Sequence, residues 1–154
     1  MNEIFEKNKH WLKDFEKSFN EDTEVREKFK DIFNRLVEQK HITAVEFEDK
    51  VHLNEKTFRR WKNGEKEPKM KNFVTFCIVY EIDYALANDM MNTLEISFIL
   101  TNRVHFAYYN LMKNFKYCIE DEKLIECNKL LDRLNIDKVY WLGNDYDKCW
   151  KEDK

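Results

Sequence analysis

Glycine and proline are almost missing from this chain, with two Gly and one Pro in 154 residues. So little turn chemistry excludes the many tight turns of a sandwich or barrel and points to an all-α chain. Paired cysteines are missing as well. Cys77, Cys118, Cys127 and Cys149 form no CxxC, and the nearest two have eight residues between them. His10, His41, His52 and His105 are equally scattered. No zinc site or other metal centre is expected, and the thiols read as reduced and partly buried. There is no Gly-rich phosphate loop, no HExxH and no GxSxG, and the carboxylates fall in solvated-face patterns. Nothing therefore speaks for an enzyme or a cofactor. No apolar run is long enough to span a bilayer and the acidic N-terminus does not read as a signal peptide, so no membrane partner is expected and the default compartment is the cytoplasm.

What is present is charge and aromatic mass. Charged residues make up 37% and aromatic residues 15%, and the mean hydropathy is −0.77. That combination reads as a water-soluble protein with a core built from Phe rather than Leu. The length suits one domain, or one small domain with a helical extension.

The stretch Ile42–Pro68 organises the rest. Thr43 with Glu46 three residues on forms a capping box, in which the hydroxyl takes an orphan amide and the carboxylate reaches back. Phe47 and Val51 mark one apolar helical face, which stops at His52. Asn54 is a second N-cap, opening a run with Phe58 and Trp61 spaced i, i+3. Gly64 is the natural left-handed stop, and Pro68 prevents easy continuation. Two short helices about three residues apart have the shape of a helix-turn-helix. With Phe58 and Trp61 inward, 100° per residue turns Lys56, Arg59, Arg60 and Asn63 outward, with Glu55 at the flank. Such a face suits base edges lined by phosphates, although basic solvated helices are common. From Asn54 to Lys71 there are seven Lys and Arg against three Asp and Glu, a local +4 in a chain of net −3.

These residues resemble the lambda-repressor-like (XRE, Cro-like) helix-turn-helix family over about residues 36–82, most specifically in the segment RRWKNGEKEP. The resemblance implies a five-helix bundle that binds double-stranded DNA as a homodimer. It places Glu55, Lys56, Arg59 and Arg60 facing bases and Asn63, Lys66 and Lys69 near phosphates. Three positions depart from the family pattern. Ala44 stands where a glutamine usually braces a phosphate, Glu48 where a small residue usually lets the helices approach, and His52 where the turn glycine usually sits. Glu48 must snorkel outward, pair with Arg59 or Arg60, or widen the helix crossing. His52 can take the left-handed region at a cost of about 1 kcal/mol.

Around this motif the pattern predicts an amphipathic helix at 3–19 with Phe5, Trp11, Leu12, Phe15 and Phe19, packed on the bundle or used between subunits. A break at Asn20–Thr23 should follow. A long helix to about Lys40 then carries Val25, Phe29, Ile32, Phe33, Leu36 and Val37. Phe73, Phe76, Cys77 and Tyr80 give a core-facing helix to about Ile82, and Asp83 caps another to about Met91. Asn92 with Glu95 reads as a further helix start. That predicts an aromatic helix over 94–115 and a partner over 121–134, forming an antiparallel hairpin. The pattern allows a final turn of helix with Tyr146, Cys149 and Trp150. The expected organisation is thus 1–21, 22–92 and 93–154, an all-α five-helix bundle with an added N-terminal helix and a C-terminal helical hairpin. The function expected is a sequence-specific transcriptional regulator of bacterial or phage type. The alternative is a protein-interaction module, such as a phage or mobile-element inhibitor or adaptor, that keeps this fold with reduced DNA binding and engages a partner through 93–154.

Overall fold

The computed structural model describes residues 3–25, 27–114 and 122–143, and every regular element among them is helical. In order these are α1 (Glu3–Val25), α2 (Phe29–Lys40), α3 (Ala44–Val51), α4 (Glu55–Asn63), α5 (Met70–Val79), α6 (Tyr84–Thr93), α7 (Arg103–Asn114) and α8 (Lys123–Arg133), with a 3-10 turn at Lys138–Tyr140. Phe115, Cys118, Asp121, Tyr146, Cys149 and Trp150, which the sequence pattern assigned to helices or to scattered thiols, lie outside the described residues.

Scarce glycine is met by an unusual way of ending helices. His41, Glu81, Glu95 and Asn135 all sit at positive φ, between 51° and 58°. Each is followed by isoleucine, and each isoleucine N–H donates back five residues: Ile42 to Val37, Ile82 to Cys77, Ile96 to Met91, and Ile136 to Leu131, all at 2.9–3.1 Å. This is the Schellman closure, with a non-glycine residue in the left-handed position. The isoleucine side chains then anchor in the core; Ile42, Ile82 and Ile136 are buried. The hydrophobic anchor offsets the strain of about 1 kcal/mol that a side chain meets at positive φ.

Two apolar cores share one wall. The first is formed by α2–α6 around Phe29, Phe33, Phe47, Phe58, Trp61, Phe73 and Phe76. The second joins α5, α7, α8 and the segment 136–142 through Val74, Ile78, Tyr108, Leu111, Cys127, Leu131, Trp141 and Leu142. Helix α5 is that wall: Phe73, Phe76 and Cys77 face one core, and Val74 and Ile78 face the other. A helix apolar on all sides belongs in the middle of a molecule. The sequence reading saw only its first face.

Three expectations need correction. First, α1 runs through Asn20–Thr23, where a break was expected, and Val25 ends α1 instead of opening α2. None of those four residues is Gly or Pro, and polar residues cost a helix only tenths of a kcal/mol each. The chain turns after Val25, where Lys28 N–H donates to Asp31 and Glu27 pairs with Arg35 at 2.6 Å. Second, only the end of the α1 stripe approaches the bundle: Trp11 is 61% and Phe15 53% exposed, while Phe19 lines a cleft with Phe29 and Ile32. Third, no helix begins at Asn92. There α6 ends, Glu95 takes the left-handed position, and α7 starts at Arg103, capped by the Asn102 carboxamide oxygen, which accepts from Val104 and His105 N–H. The pair α7 and α8 also packs mainly on α5, leaving a groove of about 560 Å³ between the two helices.

Candidate nucleic-acid interface

Helices α3 and α4 are joined by three residues, His52, Leu53 and Asn54. Thr43 caps α3 through its side-chain oxygen, which accepts from Glu46 N–H at 3.1 Å. The reciprocal half of the expected capping box is not made, because the Glu46 carboxylate pairs with Lys50 at 2.9 Å, one helical turn on. His52 takes φ 58°, ψ 37°, so the chain turns at a histidine where a glycine would be strain-free. Leu53 is buried beneath the turn. Asn54 then caps α4, its Oδ1 accepting from Thr57 N–H at 2.8 Å and from the Thr57 hydroxyl at 2.9 Å.

The inward face of α4 is fixed by Phe58 and Trp61, both buried. Trp61 lies edge-on to Phe29, Phe33, Phe47 and Phe76 at 5.5–6.3 Å between ring centroids, a geometry that aromatic quadrupoles favour. The C-terminal end of α4 is locked twice. Gly64 at φ 74° lets Glu65 N–H donate to Arg60 O at 3.0 Å. The Asn34 carboxamide on α2 donates to Lys62 O at 2.8 Å, and to Lys30 O on its own helix. Asn34 is therefore the residue that registers α4 against α2. Sequence reasoning missed it, because a lone polar residue inside an amphipathic helix carries no local signal of a partner 28 positions away.

Lys56, Arg59 and Asn63 are exposed, and Arg60, which the wheel also turned outward, is half-buried. Their electrostatics are uneven. Arg59 pairs with Glu55 at 3.0 Å, so these two candidate base-facing residues neutralise each other along the helix. The ammonium of Lys62 lies over the Phe58 ring at 5.5 Å from its centroid, which removes it from the outer face. Lys56 and Arg60 have no ion-pair partner among the described residues, and their charge is free for an external anion or base edge. Asn63, Lys66 and Lys69 are all exposed at or beyond the end of α4, interleaved with the exposed Glu65 and Glu67.

Glu48 adopts the first of its three options. It is exposed, no ion pair joins it to Arg59 or Arg60 among the described residues, and α3 and α4 remain in close contact. Ala44 packs against the first core, so the start of α3 presents Val45, 69% exposed, rather than a polar group. Among the described residues no three His, Cys, Asp or Glu side chains gather closely enough to hold a metal ion, and no helix is long and apolar enough to cross a membrane. Burial pushes the Cys77 thiol well above its ordinary range. Comparison of the chain with protein-family models, with curated proteins and with solved structures gives no match.

Proposed function

We propose that this chain is a sequence-specific DNA-binding regulator of bacterial or phage type, with α3 and α4 as its helix-turn-helix and α4 as the element entering the major groove. One observation carries the reading. The α4 helix is clamped at both ends and along its inner face, while the exposed Lys56 and the half-buried Arg60 have no ion-pair partner among the described residues. A rigid helix with free cations on its solvent side is what direct readout of base edges requires. The resemblance of residues 36–82 to lambda-repressor-like proteins supports the same assignment and a five-helix bundle from α2 to α6. It also implies a dimer, since one short helix reads too few bases and half-sites about 34 Å apart are the rule. In this reading Glu55 orients Arg59 toward the groove wall, and Asn63, Lys66 and Lys69 follow the phosphates.

A second reading is favoured by the surface of α3. Glu48 and Asp49 are exposed beside Val45, an acidic and apolar face where a phosphate backbone would approach. That face suits a protein partner, on a fold that has given up tight operator binding. The two readings separate in one experiment, selection from random duplex DNA at several salt concentrations followed by titration of variants. The regulator reading expects a selected site. Arg60→Ala should lose about 1–3 kcal/mol there and relax preference at one base pair of each half-site. Lys69→Ala should weaken all sequences alike and lower the salt slope by about one. Wild-type protein without sequence preference at any salt concentration would leave the protein-partner reading.

A further inference from the structure

The last turn of α4 is gripped by α2, and part of that grip is polar. The final carbonyls of a helix lack an intrahelical donor, so those of Arg60, Trp61 and Lys62 need other partners. Arg60 O accepts from Glu65 and Lys66 N–H, and Trp61 O from Gly64 N–H, within the closing turn itself. Lys62 O is served from α2. The Asn34 carboxamide donates to it at 2.8 Å and to Lys30 O at 2.8 Å, which occupies both of its N–H donors. One turn back on α2, the Lys30 stem lies so close to Gly64 that a Cβ there would meet it at 2.8 Å. We infer that Asn34 is a positioning residue for base discrimination: it reads no base itself, and it holds the last turn of α4, and with it Arg60, in register. The inference rests on the DNA reading and names a residue on which the specificity of that site depends.

Apolar packing alone does not give that register. Phe58 and Trp61 bury the inner face of α4, but apolar contact has no direction and tolerates sliding along the axis. Hydrogen bonds from one planar carboxamide to carbonyls on two helices do fix direction. The other end of α4 is held by the Asn54 cap and the three-residue link to α3. Without Asn34 the helix would swing about that end, and its far turn would move most. Arg60 lies in that turn, and Lys56 lies one turn nearer the pivot.

The two kinds of DNA contact respond differently to such a swing. A hydrogen bond to a base edge is short and directional, so a small displacement of the guanidinium removes it. Attraction to a phosphate fades only over a Debye length, about 10 Å at 0.1 M salt, so the same displacement hardly changes it. Asn34 therefore governs which sequence is bound more than how strongly duplex DNA is bound in general. A mainly structural role fits less well. Asn34 is half-buried, so water can take the place of a shortened side chain, and the ring core is complete without it.

Titration of full-length Asn34→Ala against a selected duplex and an unrelated one, at two salt concentrations, tests it, with circular dichroism to follow folding. The ratio of the two affinities should fall by about 10-fold or more, while the salt slope stays that of wild type. Preference should relax more at the base pair that Arg60→Ala identifies than at the one Lys56→Ala identifies. Arg60→Ala should then cost less by about 3-fold or more in the Asn34→Ala background, whereas Lys69→Ala keeps its full effect. Should Asn34→Ala fold poorly, Asn34→Ser replaces it. A helical serine has one donor and gives it to the carbonyl four residues back, here Lys30 O, so only the link to α4 is lost. A residue that merely stabilises would weaken both duplexes alike and leave the Arg60 effect additive, and that result overturns the inference. An unchanged affinity ratio overturns it too, and leaves the DNA reading standing as long as wild type has a selected site. Wild type without a selected site removes both.

Discussion

The two cores that share α5 are held together differently. In the first, Phe33 sits within 5.3–6.5 Å, ring centroid to centroid, of Phe29, Phe47, Phe58, Trp61 and Phe76, and the helices are locked by interleaved rings. In the second, aliphatic packing is joined by polar staples. The buried Asn128 exchanges two hydrogen bonds with the Leu142 backbone, Trp141 Nε1 donates to Ile136 O, and the Tyr108 hydroxyl donates to Tyr140 O. The nearly buried Lys123 reaches Glu81 across the boundary at 3.0 Å. Ring packing tolerates no missing member but asks little of the backbone. Staples fix a loop that has no regular structure of its own. The ring core holds α4 rigidly from behind, and the stapled core lies on the other face of α5.

The largest expected effect breaks the first core. Trp61→Ala should cost about 3–5 kcal/mol, because a fully buried indole leaves a cavity bounded by four other rings. Denaturant melts followed by circular dichroism measure the loss. Hydrogen exchange should show α4 and α2 opening together, since Asn34 couples them. A stable Trp61→Ala protein that loses only binding would mean that the inner and outer faces of α4 have been exchanged.

Trp61, Phe58, Asn54 and Gly64 were legible in the sequence because their signals are local: caps, stops and spacings within one turn of helix. What escaped was long-range or ambiguous. Asn92 and Glu95 fit the spacing of a capping box, yet Glu95 is the left-handed residue of a closing helix. The signal that would have found it is the tripeptide itself. His41-Ile42-Thr43, Glu81-Ile82-Asp83, Glu95-Ile96-Ser97 and Asn135-Ile136-Asp137 share one order: a left-handed stop, an isoleucine anchor, then a capping-type residue. Val74 and Ile78 escaped because the i, i+3, i+4 pattern of Phe73, Phe76 and Cys77 already accounted for one face of α5. The Glu55–Arg59 pair, which narrows the candidate base-facing set to Lys56 and Arg60, is a choice of side-chain conformation that helix spacing permits without requiring.

A middle-sized effect isolates the second core. Asn128→Ala should cost about 2–3 kcal/mol, since it strands the buried N–H and C=O of Leu142 together. The amides of 136–142 should then exchange faster while those of α2–α4 keep their protection. Equal loss of protection in both regions would show that α5 couples the cores into one cooperative unit, and the contrast between ring packing and staples would then have no thermodynamic counterpart.

The smallest effect tests the helix endings themselves, and its sign matters more than its size. Gly64→Ala should destabilise by about 1–2 kcal/mol, because a side chain at φ 74° is strained and the new Cβ would lie 2.8 Å from Lys30 Cδ. Glu95→Gly makes the opposite change at φ 56° and should stabilise by about 0.5–1 kcal/mol, as relief of strain exceeds the added entropy of the unfolded chain. Glu95 suits the test better than Glu81, whose carboxylate is tied to Lys123. Paired thermal melts of the two variants give both signs in one experiment. If Glu95→Gly destabilises as well, the left-handed positions owe their stability to side-chain contacts and the isoleucine anchor is secondary. A gain at Glu95 that Ile96→Ala then reverses would assign these closures, in a chain with hardly any glycine, to the hydrophobic residue that follows the turn.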